Sequence, residues 1–242
     1  MAHNRVIIIV SKKENFIDSA KKIKHELDIP CEILYLEDII DNTEYIKDTD
    51  IIYVLANGKD VYTFIVMLKN KRSYIFNKQF YLENLTKFQI QQKLKLNNVL
   101  VPEILSKNNE CIKMPVFVKE NKQAGIVFQA YTNDTIKLFF SKFDINNFYL
   151  EESLNNINDN HREYKVYYAN NKINYKDNVV INDEKIELIV KNVAKILNLD
   201  VMSLDLVKFE KKYYIIDVNP AAGFYFSSKA RKELIKKIGE LL

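Results

Sequence analysis

The run Ser203-Leu-Asp-Leu-Val-Lys-Phe-Glu-Lys-Lys-Tyr-Tyr-Ile-Ile-Asp-Val-Asn219 constrains this chain most. A loop at residues 210–212 folds it into an antiparallel hairpin symmetric about Lys211. In that register Asp205 faces Asp217, Val207 faces Ile215 and Phe209 faces Tyr213. Side chains alternate faces along a strand, so Asn219 shares a face with Asp217. Two carboxylates and an amide then converge on one patch. Opposed carboxylates with side chains about 5 Å apart destabilise a sheet unless something neutralises them. A hard divalent cation does this, and magnesium favours one or two carboxylates with an amide oxygen, water and substrate phosphate. The expected metal ligands are Asp205, Asp217 and Asn219. The alternative is a solvated hairpin face whose acids avoid each other.

The rest of the chain reads as α/β. Residues 6–10 form an apolar run, as in a strand buried on both faces. Phe16, Ala20, Ile23 and Leu27 follow at helical spacing. Further strands are expected at 31–36, 51–55 and 73–76, with an amphipathic helix through Val61, Phe64, Ile65 and Leu68. The first strand–helix turn, Ser11-Lys12-Lys13-Glu14-Asn15, has no glycine to admit a pyrophosphate, which disfavours a dinucleotide fold. Gly58-Lys59 lacks the rest of a P-loop. From residue 77 the texture changes: a polar helix at 85–96, short strands at 115–119, 125–129, 148–150 and 164–169, and a turn at Asn170-Asn171. The helix through Ile186, Val190, Val193 and Leu197 has Asp183 as its N-cap, and a basic helix spans 229–242.

Composition narrows the function classes. The 242 residues are 48% hydrophobic and 28% charged, as in soluble globular proteins. No apolar run reaches the roughly 20 residues that cross a bilayer. Residues 6–10 are too short for a secretory signal. A cytoplasmic protein without membrane contact is expected. Cys31 and Cys111 are isolated, so neither a disulfide scaffold nor a zinc site is expected. The net charge of +4 is scattered, without the basic stripe of a nucleic-acid reader.

With the hairpin as anchor, five segments in order resemble the ATP-grasp superfamily. Asp205 followed by Ile216-Asp217-Val218-Asn219-Pro220-Ala221-Ala222-Gly223-Phe224 looks like its metal-binding signature. Lys87, opening a helix, resembles the first nucleotide-binding lysine, and Val116-Phe117-Val118-Lys119 the strand ending in the second. Tyr149-Leu150-Glu151-Glu152-Ser153-Leu154 looks like the hinge that receives adenine. Glu163-Tyr164-Lys165-Val166 is similar to the acidic-x-basic strand that follows. The resemblance covers about residues 77–227 and is closest to RimK-like carboxylate–amine ligases. It implies an ATP-grasp fold with a small N-terminal α/β (pre-ATP-grasp) domain at 1–76. The ATP-grasp domain would take 77–242, with a smaller lobe at 77–150 and a C-terminal lobe carrying the metal site at 151–242.

The implied cofactors are ATP and Mg2+, with Mn2+ as a substitute. The implied nucleotide contacts are Lys87, Lys119, Gly125, Glu151, Glu152, Leu154 and Glu163, with Glu163 the better ribose partner because it shares a strand face with Lys165. Lys165 is the candidate for stabilising the transferring phosphoryl group. The implied activity is a carboxylate–amine ligase acting through an acyl phosphate on an amino acid, peptide or similar small substrate, with homo-oligomerisation left open. A small-molecule kinase of the inositol-phosphate type and a non-catalytic nucleotide-binding scaffold stand as alternatives. Two departures bear on the choice. The loop over the phosphates, Asn121-Lys122-Gln123-Ala124-Gly125, has one glycine where the family has several. Only residues 173–183 separate the acidic-x-basic strand from the last amphipathic helix, where RimK-like ligases carry a longer segment.

Overall fold

A computed structural model describes residues 5–12, 14–107, 112–122, 125–154, 163–177, 179, 181 and 183–242, without the side chains of 14 and 15. Cys111, Gln123 and Ala124 lie outside the described residues. The chain begins with β1 (Arg5–Val10), α1 (Glu14–Glu26), β2 (Cys31–Tyr35), α2 (Leu36–Ile39), β3 (Asp50–Leu55), α3 (Lys59–Met67) and β4 (Tyr74–Ile75). It continues through α4 (Lys78–Glu83), α5 (Lys87–Leu96), β5 (Ile104–Leu105), β6 (Val116–Glu120), β7 (Val127–Ala130), α6 (Asn133–Phe140) and β8 (Phe148–Glu152). Last come β9 (Glu163–Ala169), β10 (Lys172–Tyr175), α7 (Glu184–Leu197), β11 (Val201–Phe209), β12 (Lys212–Asn219) and α8 (Ser228–Leu241).

These elements divide into two compact units, the first being Met1–Asn84 with Lys165–Leu204 and Val218–Leu242. Its nucleus is a parallel sheet in the order β2-β1-β3-β4, with Val6 beside both Cys31 and Ile51. Val6 to Val10 are wholly buried, as the apolar run requires of a central parallel strand. Phe16, Ala20 and Ile23 of α1 and Ala230, Leu234 and Ile238 of α8 pack into the same core. Tyr167, Ala169, Val201 and Phe224 join it. Asn77 ties the segments together: its Nδ2 donates to Val201 O (2.8 Å) and Pro220 O (2.9 Å), and its Oδ1 accepts from Asp200 N (2.7 Å). Burial pushes the Cys31 thiol up to about 11, the behaviour of an inert thiol.

The second unit, Leu85–Tyr164 with Asp205–Asp217, is built on an antiparallel sheet in the order β5-β8-β6-β7. Its inner face packs Val116, Val118, Ala130, Ile136, Phe148 and Leu150. Helix α5 begins at a capping box: Thr86 Oγ1 accepts from Gln89 N (3.3 Å), and Gln89 Oε1 accepts from Thr86 N (2.9 Å). A third sheet has the order β10-β9-β11-β12. Asn170 and Asn171 close β9 onto β10 at positive φ, as expected, and Asp183 caps α7 by accepting from Lys185 N (3.0 Å).

One expectation about the hairpin fails. The β11–β12 turn contains two residues, not three: Glu210 and Lys211, at φ 47° and 65°. The Phe209 ring meets Tyr214 at 6.2 Å, and the Lys208 ammonium sits over Tyr213 at 5.2 Å. The predicted pairing of Phe209 with Tyr213 is therefore displaced by one residue at the turn. A two-residue turn with both residues left-handed matches the twist of paired strands, and that preference overrides the absence of Asn or Gly here.

Candidate functional site

Seven of the residues singled out in the sequence line one cavity of the second unit. Its volume is about 270 Å3, and it takes in Lys87, Lys119, Glu151, Glu152, Leu154, Glu163 and Asp217. Phe117, Val207 and Pro102 supply apolar wall.

The sheet register sets the innermost pair. Phe117 stands opposite Glu151 and Lys119 opposite Tyr149, so Lys119 and Glu151 are diagonal neighbours within reach of long side chains. Lys119 Nζ donates to Glu151 Oε1 and also to Ile216 O at 3.1 Å. The other Glu151 oxygen accepts from Gln91 Nε2. Lys119 and Glu151 expose 7% and 1% of their surface. Burial raises the Glu151 pKa above the usual carboxylate range, opposed by Lys119 and Gln91.

Helix α5 supplies the second ammonium. Its first residue, Lys87, donates from Nζ to Asp217 Oδ1 at 3.0 Å. Phe88 N donates to Asn121 Oδ1 at 3.0 Å, which fastens the start of the helix to the end of β6. The Phe88 ring meets Tyr149 edge-on at 5.8 Å. Burial, reinforced by the charges of Glu151 and Asp217, pushes the Tyr149 phenol well above its ordinary value. The cavity thus has an apolar side, two ammonium groups each compensated by a carboxylate, and further acids in Glu152 and Glu163. With two lysines against four acids the lining is net acidic, so a ligand with a flat apolar part fits its wall and a polyanion would enter only with a cation of its own.

The remaining predicted residues lie elsewhere. Lys165 and Asn219 line a separate cavity of about 380 Å3 in the first unit, together with Gly223. Asn219 Oδ1 accepts from Ala221 N at 3.0 Å, which leaves one lone pair on that oxygen. Gly125 lines neither cavity; a Cβ there would lie 2.7 Å from Glu120 Cβ, so close chain approach explains the glycine. Asp205 is half-buried on β11 and also lines neither. Among the described residues, no cluster of three or more His, Cys, Asp or Glu side chains is placed to hold a metal. By donor type, two carboxylates and an amide oxygen suit magnesium, which keeps waters and substrate oxygens in its shell, but Asp217 lines one cavity, Asn219 the other and Asp205 neither.

Sequence reasoning missed Gln91 and the Glu151 pairing. The signal for Gln91 was its spacing of four from Lys87, which puts both on one face of α5. Nothing in the sequence marks Phe117 or Val207 as lining rather than core.

The two units, their sheets and the β11–β12 hairpin make up the ATP-grasp fold, in a mixed α/β chain. The chain is similar to D-alanine–D-alanine ligase from Bacillus anthracis, solved with ATP, at 17% identity and TM-score 0.71, covering 98% of this chain and 92% of that one. It is similar to the ATP-grasp ligase PsnB, solved with a minimal precursor, at 11% identity and TM-score 0.72 over 99% and 100% of the two chains. A RimK-domain ATP-grasp protein from Sphaerobacter thermophilus gives 10% identity and TM-score 0.71 over 96% of each. At these identities the likeness is one of fold. No protein-family model and no curated protein matches the sequence. No helix among the described residues is long and apolar enough to cross a membrane.

Proposed function

We propose that the second unit's cavity binds ATP with Mg2+ and that the protein is an ATP-dependent carboxylate–amine ligase. The observation that carries this reading is the gathering of Lys87, Lys119, Glu151, Glu152, Leu154, Glu163 and Asp217 around one cavity. They come from separate sequence segments that each resemble part of the ATP-grasp pattern.

In this reading Lys87 and Lys119 hold the polyphosphate, and Glu151 holds Lys119 in place. The backbone of 151–154 receives the adenine edge against Phe117 and Leu154. Glu163, with Glu152, bonds the ribose hydroxyls. Asp205, Asp217 and Asn219 hold the divalent cation, magnesium or manganese. When bound, that cation offsets charge on the polyphosphate oxygens. Lys165 stabilises the phosphoryl group in transfer. The donor carboxylate attacks the γ-phosphorus, the bond to ADP breaks, and an acyl phosphate forms. An amine then attacks the acyl carbon, phosphate leaves, and an amide results. The substrate class is an amino acid, peptide or similar small molecule.

Two measurements test this. Calorimetry should detect binding of Mg2+·ATP; its absence would sink the nucleotide reading and favour a scaffold. With the right carboxylate donor, hydroxylamine should trap hydroxamate and release inorganic phosphate in equal amounts. Stable transfer of labelled γ-phosphate onto a polyol instead would replace the ligase with a kinase.

A further inference from the structure

A third cavity, of about 560 Å3, opens on the first unit between β4, the start of α4, β9 and the end of α7. All of its lining residues belong to that unit, and it shares none with the other two cavities. The volume falls within the roughly 300–1,000 Å3 of small-molecule sites.

Its charge is the reverse of that in the second unit's cavity. Lys78, Lys191 and Lys195 line it against one carboxylate, Asp200. Asp200 is already engaged: its Oδ2 accepts from Asn77 N at 2.8 Å, and the carboxylate also takes the Tyr74 hydroxyl. Lys78 Nζ donates to Lys69 O at 3.1 Å, a neutral acceptor that leaves its charge uncompensated. Lys191 pairs with Glu187 across one turn of α7, an exposed contact of the kind that holds weakly. Lys195 has no hydrogen-bond or ion-pair partner among the described residues.

The same cavity is lined by Ser73, which is 5% exposed and whose Oγ has no hydrogen-bond partner among the described residues. A buried hydroxyl left in that state costs stability, and a ligand oxygen at the cavity would supply the missing bond. Tyr74, Tyr168, Ala194 and Leu199 give the lining an apolar part.

We infer that this cavity is an anion site for a phosphate monoester with a ring in its body; the inference stands apart from the ligase reading. Three ammonium groups less one carboxylate leave an excess of two positive charges on the lining. A phosphate monoester carries about −1.5 to −2 at neutral pH and offers three acceptor oxygens. Lys78, Lys191 and Lys195 take those oxygens with the Ser73 hydroxyl, and the ring lies on the tyrosines. A single carboxylate would leave half of the excess unmatched.

The test is calorimetric titration of the full chain with phenyl phosphate, inorganic phosphate and benzoate. Phenyl phosphate should bind at least about fivefold tighter than inorganic phosphate, which lacks the ring, and about tenfold tighter than benzoate, which lacks the second charge. Lys195→Glu should weaken phenyl phosphate by at least about tenfold, and the milder Lys195→Gln by about threefold. Lys195 is exposed, so both variants have little packing to lose. Ser73→Ala should weaken binding by about threefold while the denaturant midpoint of the free chain stays equal or rises, because an unpaired buried hydroxyl is removed. Two variants elsewhere serve as controls. Lys232→Glu on α8 makes the same change in net charge, and Lys87→Met alters the second unit's cavity; each should stay within about twofold of the unaltered chain. No binding of phenyl phosphate would overturn the inference, as would benzoate binding equally well. Equal losses in Lys195→Glu and Lys232→Glu would reduce the site to unspecific attraction by a basic chain. A loss in Lys87→Met with none in Lys195→Glu would move the phosphate to the second unit and remove the site.

Discussion

At the scale of single residues, the pairing of Lys119 with Glu151 decides most. Read from sequence, Lys119 was a phosphate contact and Glu151 a hinge acid. That the two form a buried ion pair depends on a strand register 32 residues apart, which spacing alone does not fix. Removing one partner of a buried pair costs about 3–5 kcal/mol, because the other charge is stranded. Lys119→Ala should therefore lose stability on that order near neutral pH, and it should weaken Mg2+·ATP binding by about 1–3 kcal/mol. Acidity gives the sign. Burial already raises Glu151, so the folded chain holds that proton more tightly than the unfolded one. Its contribution to stability is fullest below the ordinary Glu value and falls as pH rises through the raised one. Without Lys119 the folded-state value rises further, so the deficit of the variant should shrink as pH falls. Urea unfolding at about pH 5 and about pH 8 checks this; an equal deficit at both would mean Glu151 does not sense Lys119.

At the scale of elements, the hairpin shows what periodicity can and cannot deliver. Alternation along 203–219 identified both strands, and β11 and β12 end where it puts them but begin earlier, at Val201 and Lys212. The two-residue turn is not legible because Glu210-Lys211 lacks the Asn-Gly signature of such a connection. The structure nevertheless holds both at positive φ, where a residue with a Cβ costs about 1–2 kcal/mol. Replacing them together, Glu210→Asn with Lys211→Gly, should raise stability by about 1–2 kcal/mol, read as a higher denaturant midpoint with an unchanged slope. A lower midpoint would mean that the side chains of Glu210 and Lys211 stabilise the turn by more than its strain costs. Helix α5 was expected from residue 85 and begins at Lys87, behind a capping box of Thr86 and Gln89. The small helix α6 was not: its aromatic residues pack against a sheet whose position the sequence does not state.

At the scale of the whole molecule, the order of motifs was legible and the assembly of the first unit was not. Local patterning finds a strand or a helix but says nothing about which distant segment closes its core. Here Val6 and Ile8 share one core with Leu234 and Ile238. Leu234→Ala should cost about 2–5 kcal/mol. If that core is one cooperative body, amide exchange in β1 should accelerate by the same free energy as exchange in α8. Acceleration confined to α8 would make it an appendage. The shared core also has a consequence in time. The Glu26–Arg231 ion pair joins α1 to α8 across 205 residues of chain. At about 5–20 residues per second, a ribosome needs about 10–40 seconds to make that stretch. Throughout that interval the apolar faces of β1 and α1 exist without the helix that covers them, and this nascent chain must be sheltered while it waits.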